Sequence, residues 1–328
     1  MSKGNIMSLL PFSPESPWLA PMAGYSDLPF RLLCREYGAA CAVTEMVSAK
    51  GLIYASPGTK DLLATCPEDS PLVVQLFGAE PDMMARAMGL LQEKGFKHFN
   101  LNAGCPVPKV AKTGAGAALM DNPELLRDIV RAMVRQAGPD RVGVKIRSGV
   151  KAGKQDPVGI AQALADEGAA WLALHPRYAG QGYSGQAHWP FIAQVKAKVS
   201  IPVLASGDLF TAQDARRCLA ETEADGVMFA RGALHGPGIF KQYLNYSQAA
   251  AVVTGQDVAG MIRRHMDLIH QYGRPGKALL RMRTILPRYI RNLAGAGLWR
   301  QAMASCATWE RFEDIVGQIA QARSNNVT

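Results

Sequence analysis

The stretch 142-VGVKIRSG-149 decides the fold. Val144 and Ile146 alternate with Lys145 and Arg147, so a strand here has one apolar face and one face that ends in two cations. Outward from it, 97-KHFNLNAG precedes and 171-WLALHPR follows, each apolar until its C-terminal end. Similar runs occur at 18-WLAPMAG, 40-ACAVTEM, 72-LVVQLFG, 201-IPVLASGD and 225-DGVMFARG. Their starts lie 22 to 45 residues apart, room for a strand, a helix and two loops. Helical patterns fill the gaps. Met84, Ala87, Met88 and Leu91 keep i, i+3, i+4, i+7 spacing, and an apolar stripe from Leu125 to Val134 follows Asn122-Pro123, a cap and an N1 proline. Eight β–α units in series predict an α/β chain with a parallel (β/α)8 TIM barrel over residues 18–240, ahead of a doubly wound open sheet.

After Phe240 the strand runs stop. Segments 257–272, 277–293 and 299–323 read as helices of a C-terminal helical domain, 241–328, and residues 1–17 read as an N-terminal tail. Of the 328 residues 48% are apolar and 19% charged, which excludes a disordered chain. No apolar run approaches the ~20 residues of a membrane span, and the N-terminus lacks a secretory signal pattern. The six cysteines show no CxxC spacing, so neither a disulfide scaffold nor a metal site is expected, and a reducing cytoplasm is the expected compartment. The net charge of +9 is uneven: residues 241–328 hold 12 Lys or Arg against 5 Asp or Glu. A polyanion partner is the expectation, nucleic acid first and an anionic membrane second.

In such barrels function sits at the C-terminal ends of the strands. Gln75 ends strand three, Asn100 and Asn102 lie on strand four, Lys145 and Arg147 on strand five, and His175 ends strand six. Ser206-Gly207-Asp208 ends strand seven and Ala230-Arg231-Gly232 strand eight. Inward-facing cations need an anionic or acceptor-rich partner, so this ring of polar residues points to a ligand. The loops after strands seven and eight form the recurrent phosphate site of these barrels, and Arg231 adds a bidentate donor. Amide, Lys and His groups suit a flat heterocycle, and flavin mononucleotide (FMN) satisfies both halves. No GxGxxG follows a strand, which disfavours a Rossmann dinucleotide site. Cys105, in the 102-NAGCP loop, lies over the presumed site. A free thiol of pKa about 8.5 is mostly protonated at neutral pH, and serves there as a general acid or as a nucleophile.

These residues resemble the tRNA dihydrouridine synthases, flavin enzymes that reduce uracil in tRNA. The matching pieces are 20-APMAGYSDLPFRLLC, 44-TEM, Gln75, 102-NAGCPVPKV, 114-GAGAALM, 145-KIRSG, 175-HPR with Gln181 and Tyr183, 206-SGD and 230-ARGAL. They follow the family's order over most of residues 18–240, and PMAGYSD with GCPVPKV is most similar to the bacterial B type. The resemblance implies that Pro21, Met22 and Ala23 line the flavin, that Gln75, Lys145 and His175 contact its ring, and that Ser206, Gly207, Asp208, Ala230 and Arg231 hold its phosphate. It also implies Cys105 as proton donor, Asn102 and Arg147 beside the target base, NADPH (or NADH) as reductant, and tRNA as partner to a monomer. The chain departs from the family at Pro176-Arg177-Tyr178, where Gly-Arg-Thr is usual, at Ser206 for Asn, and at Ala230 for Gly.

A flavin barrel acting on a free metabolite, such as a dihydroorotate dehydrogenase, explains the barrel and the cysteine but not the basic tail. An RNA-binding protein on a retired barrel explains the tail but not the intact ring of strand-end residues. In the tail, Lys277, Arg281, Arg288 and Arg291 fall within about 40° of one line on a helix that starts at residue 277. With no acid from 268 to 309, this face is expected to track the tRNA backbone.

Overall fold

The computed structural model describes residues 10–154, 156–246, 253–291 and 293–322. Eight parallel strands form the barrel: β1 (Trp18–Leu19), β2 (Cys41–Val43), β3 (Leu72–Phe77), β4 (His98–Ala103), β5 (Val142–Arg147), β6 (Trp171–His175), β7 (Val203–Ala205) and β8 (Gly226–Phe229). β1 pairs with both β2 and β8, through Trp18↔Cys41 and Trp18↔Met228, and β2 pairs with β3, so the sheet closes. A further two-residue strand, Val47–Ser48, extends the pairing beside the end of β3.

The expected alternation sorts the side chains. Phe99, Leu101, Val144, Ile146, Leu172 and Leu174 face the helices in one cluster, while Trp18, Cys41, Val73, Trp171 and Met228 fill the lumen in another. Gly143 lies opposite Trp171 in register, and a Cβ there would stand 2.0 Å from the indole, so only glycine lets the ring cross the lumen. The helix predicted from Asn122-Pro123 runs Pro123–Ala137, with the Asn122 side chain accepting from Leu125 N–H at 3.2 Å. Met84, Ala87, Met88 and Leu91 form the buried face of the helix Pro81–Glu93.

Three expectations change. Residues 10–17 are no tail: Leu10 is buried among the lumen residues, Phe12 stacks on Trp18 at 5.2 Å, and Trp18 Nε1 donates to the Pro11 carbonyl. Residues 1–9 lie outside the described residues. The segment 299–323 is not one helix, because Thr308 ends the break after Ala296–Ala304 and caps Trp309–Ala320, accepting from Arg311 N–H. The segment 277–293 also divides, into a 3-10 turn Pro275–Lys277, a helix Ala278–Ile285 and a turn Leu286–Arg288 containing Pro287. Together with the helix Gly255–Tyr272 these pieces pack on the barrel flank. His265 lies 5.9 Å from the Phe30 ring of the first barrel helix, Leu28–Glu36, and Arg264 pairs with its Glu36. Among the described residues no helix is long and apolar enough to cross a membrane.

Candidate active site

A cavity of about 440 Å³ opens at the C-terminal mouth of the barrel. Pro21, Met22 and Ala23 line it from the loop after β1, Gln75 from β3, Asn102 and Cys105 from β4 and its loop, and Lys145 and Arg147 from β5. His175, Ser206, Gly207, Asp208, Ala230 and Arg231 complete the ring from β6, β7 and β8. Residues that the strand-end reading did not single out also reach it: Tyr25, Met46, Tyr183 and Phe210.

Register explains the amide cluster. Gln75 lies opposite Asn100, and both point inward. Gln75 Nε2 donates to Asn100 Oδ1 at 2.7 Å, and Gln75 Oε1 accepts from Asn102 Nδ2 at 2.8 Å. Asn102 Oδ1 then accepts from the N–H groups of Gly104 (3.1 Å) and Cys105 (2.9 Å). Asn102 therefore holds the cysteine loop, with little of its polar surface left for a substrate. Arg147 fixes the same loop, donating from Nε to the Gly104 carbonyl at 3.0 Å and from Nη1 to the Gly182 carbonyl at 2.9 Å. Gly116 closes the far side: its Cβ would lie 2.7 Å from the Cys105 carbonyl, which accepts from Ala117 N–H.

Positive charge dominates the rest of the ring. Burial, then the Arg147 guanidinium, brings the Lys145 amine down to about 8, and only Cys105 pulls the other way. His175 is pushed down to about 2 by burial and then by Lys145, Arg147, Arg177 and Arg231, so its ring is neutral. Asp208 balances part of this charge. Arg177 grips it through two bonds of 2.8 and 2.6 Å, Arg231 adds one at 3.0 Å, and Ala187 N–H another at 2.8 Å. Burial alone would raise its carboxyl pKa, but these bonds and the two guanidiniums hold it below the usual range. A carboxylate so occupied aims two arginines, one of which, Arg231, lines the cavity. Arg177 is the missed member, and its place two residues beyond His175 is the signal for it. The Pro176 departure leaves Arg177 buried and pointing at Asp208.

Gly207 and Gly232 line the cavity at points where the chain packs closely on itself. A Cβ on Gly207 (φ +104°) would meet the His175 ring at 2.6 Å, and one on Gly232 the Leu209 carbonyl at 2.3 Å. Tyr183 stands above, 60% exposed, with the Arg231 and Arg147 guanidiniums 4.5 and 5.6 Å from its ring.

The tail residues do not share one face. Arg281 turns to the barrel, where its Nε donates to Asp27 at 2.9 Å and its Nη1 to the Gly24 carbonyl. Asp27 also caps the helix Leu28–Glu36. Arg288 reaches the cavity rim, donates to the Tyr25 hydroxyl at 2.7 Å and lies over its ring. Lys277 and Arg291 are exposed and do not line the cavity. The missing local acids are supplied from afar: Arg263 pairs with Glu313, Arg264 with Glu36, and Arg274 with Asp61.

A closed parallel barrel with a cation-rich mouth and a thiol beside it is the architecture of a barrel enzyme. The chain belongs to the dihydrouridine synthase (Dus) family, whose profile matches residues 18–325. It is 34% identical to a probable tRNA-dihydrouridine synthase 1 of Synechocystis over 91% of this chain and 84% of that protein. A probable tRNA-dihydrouridine synthase of Treponema pallidum is 35% identical over 91% of each chain. A tRNA-dihydrouridine synthase B of Shewanella oneidensis is 39% identical over 74% of each.

Proposed function

We propose that this chain is a tRNA-dihydrouridine synthase that uses FMN and NADPH or NADH to reduce the C5=C6 bond of particular uridines in tRNA. The observation that carries the reading is the placement of Cys105. Asn102 and Arg147 hold its loop over the same cavity that Lys145, His175, Gly207 and Gly232 line.

The residues fit a flavin. Lys145 lines the cavity and has no carboxylate beside it among the described residues, so a donor remains for a carbonyl or nitrogen edge. Arg177 and Arg231 share one carboxylate, and Arg231 lines the cavity beside Gly207 and Gly232, which suits a phosphate. Bound and reduced, the flavin supplies the hydride for C6 of the uracil. The protein must then deliver a proton to C5, because hydride addition to the double bond conjugated with the C4 carbonyl leaves an enolate. Cys105 Sγ–H gives that proton, and the Lys145 ammonium nearby stabilises the thiolate left behind until solvent reprotonates it. Neutral His175 donates or accepts one hydrogen bond without adding charge. The exposed and rim cations Lys277, Arg288 and Arg291 meet the tRNA backbone, whereas Arg281 joins the helical segment to the barrel.

The test is purified protein with NADPH and either unmodified tRNA or free uridine and orotate. The reading expects a yellow protein that forms dihydrouridine in the tRNA alone. Turnover of a free pyrimidine with none of tRNA overturns it in favour of a metabolite reductase.

A further inference from the structure

A second recess, of about 630 Å³, adjoins the candidate active site and shares Met46 with it. Its wall is the turn from Ser48 to Leu62, with Phe77 at the end of β3 and Lys109 on the short helix that follows the Cys105 loop. The turn is firmly built. Ser48 Oγ accepts from Gly51 N–H at 3.1 Å, the Gly51 carbonyl accepts from Ser56 N–H at 2.8 Å, and Arg274 of the helical tail pairs with Asp61. On this rigid rim Tyr54 is 70% exposed. Lys50 is paired with Glu80 at 2.5 Å, but Lys109 has no carboxylate partner among the described residues.

An exposed ring beside cations, on a fixed edge one wall from the reacting cavity, is the combination that binds a single strand by stacking and by charge. We infer that this recess seats a nucleotide next to the target uridine, with its base on Tyr54 and its phosphate beside Lys109. The inference rests on the reading of the chain as a tRNA-uridine reductase. A strand whose uridine enters the cavity must continue past its rim, and the recess beyond Met46 is a concave path with an exposed aromatic ring on its edge and a free cation.

The target uridine is first mapped by sequencing dihydrouridine made by the wild-type holoenzyme on unmodified tRNA. Steady-state kinetics are then measured for wild type, Tyr54→Ala, Tyr54→Phe and Lys109→Ala. The tRNAs are intact or carry an abasic nucleotide on the 5′ or the 3′ side of that uridine. On intact tRNA, Tyr54→Ala should raise KM about tenfold with kcat held, since a base–aromatic stack is worth that or more, and Tyr54→Phe should restore it. On one of the two abasic tRNAs wild type and Tyr54→Ala should become equal. An unchanged KM, or the same penalty on both abasic substrates, overturns the subsite while leaving the enzyme reading intact. A wild-type protein that makes no dihydrouridine in tRNA overturns both.

Discussion

At the floor of the barrel the lumen holds Phe12, Trp18 and Trp171, packed ring on ring at 5.0 to 6.1 Å. Four residues further along the same strands, β5 passes from Gly143 to Arg147 and β6 from Trp171 to His175. The inward face thus changes from oil to charge within two strand steps. The floor holds the barrel closed. The mouth holds Lys145, a buried cation with no carboxylate beside it among the described residues, which the fold alone does not need. One end is built for stability and the other for a ligand, and variants at the two ends should behave oppositely.

The largest effect is expected at the floor. Trp171→Ala removes an indole that spans the lumen opposite Gly143 and should lower unfolding free energy by about 3–5 kcal/mol, read by denaturant melts. At the mouth, Lys145→Met should do the reverse to the flavin-free protein. A lysine whose folded pKa lies below its unfolded value is a burden at neutral pH, relieved only as pH climbs from about 8 towards 10.5. Its removal should stabilise by on the order of 1–2 kcal/mol, discounted for partial exposure, while flavin affinity falls. Equal destabilisation at both ends would erase the distinction.

A smaller, pH-dependent effect belongs to the junction of barrel and helical tail. His265 is fully buried, its Nδ1 2.8 Å from the Tyr289 hydroxyl, and burial followed by Arg281 depresses it to about 3. Its folded pKa is below the unfolded value of about 6.5, so stability is whole above that value and is lost as pH falls towards 3. Denaturant melts from pH 7.5 to 4.5 should show His265→Gln losing up to one proton of that dependence. The smallest expected effect is electrostatic. Lys277→Ala with Arg291→Ala should flatten the slope of log K for tRNA against log salt by about 0.7–0.9 for each phosphate no longer neutralised. Arg281→Ala should instead lower the melting temperature, because its partner is Asp27.

The barrel was legible in the sequence because strand alternation is a local signal. Lys145 between Val144 and Ile146 fixes its own direction, and Asn122-Pro123 announces its own helix. The mouth was legible for the same reason: polar residues at strand ends need no distant partner to be recognised. What the sequence hid is non-local. Arg281 meets Asp27 and Arg264 meets Glu36 across more than two hundred residues, so the tail looked more cationic than its surface is. Phe12 and Leu10 read as a tail because nothing local says that a barrel floor waits for them. Nor does the sequence show that Asp208 is gripped by Arg177, which lies on another strand's loop.

The most direct measurement is dihydrouridine formation by Cys105→Ala on unmodified tRNA, with flavin content and NADPH-driven flavin reduction measured on the same preparation. The account predicts a yellow protein whose flavin is reduced normally and whose dihydrouridine yield falls about 10²–10⁴-fold, the range expected when a general acid is removed. Turnover within a few-fold of wild type, with the flavin in place, would contradict it and remove Cys105 from the proton transfer.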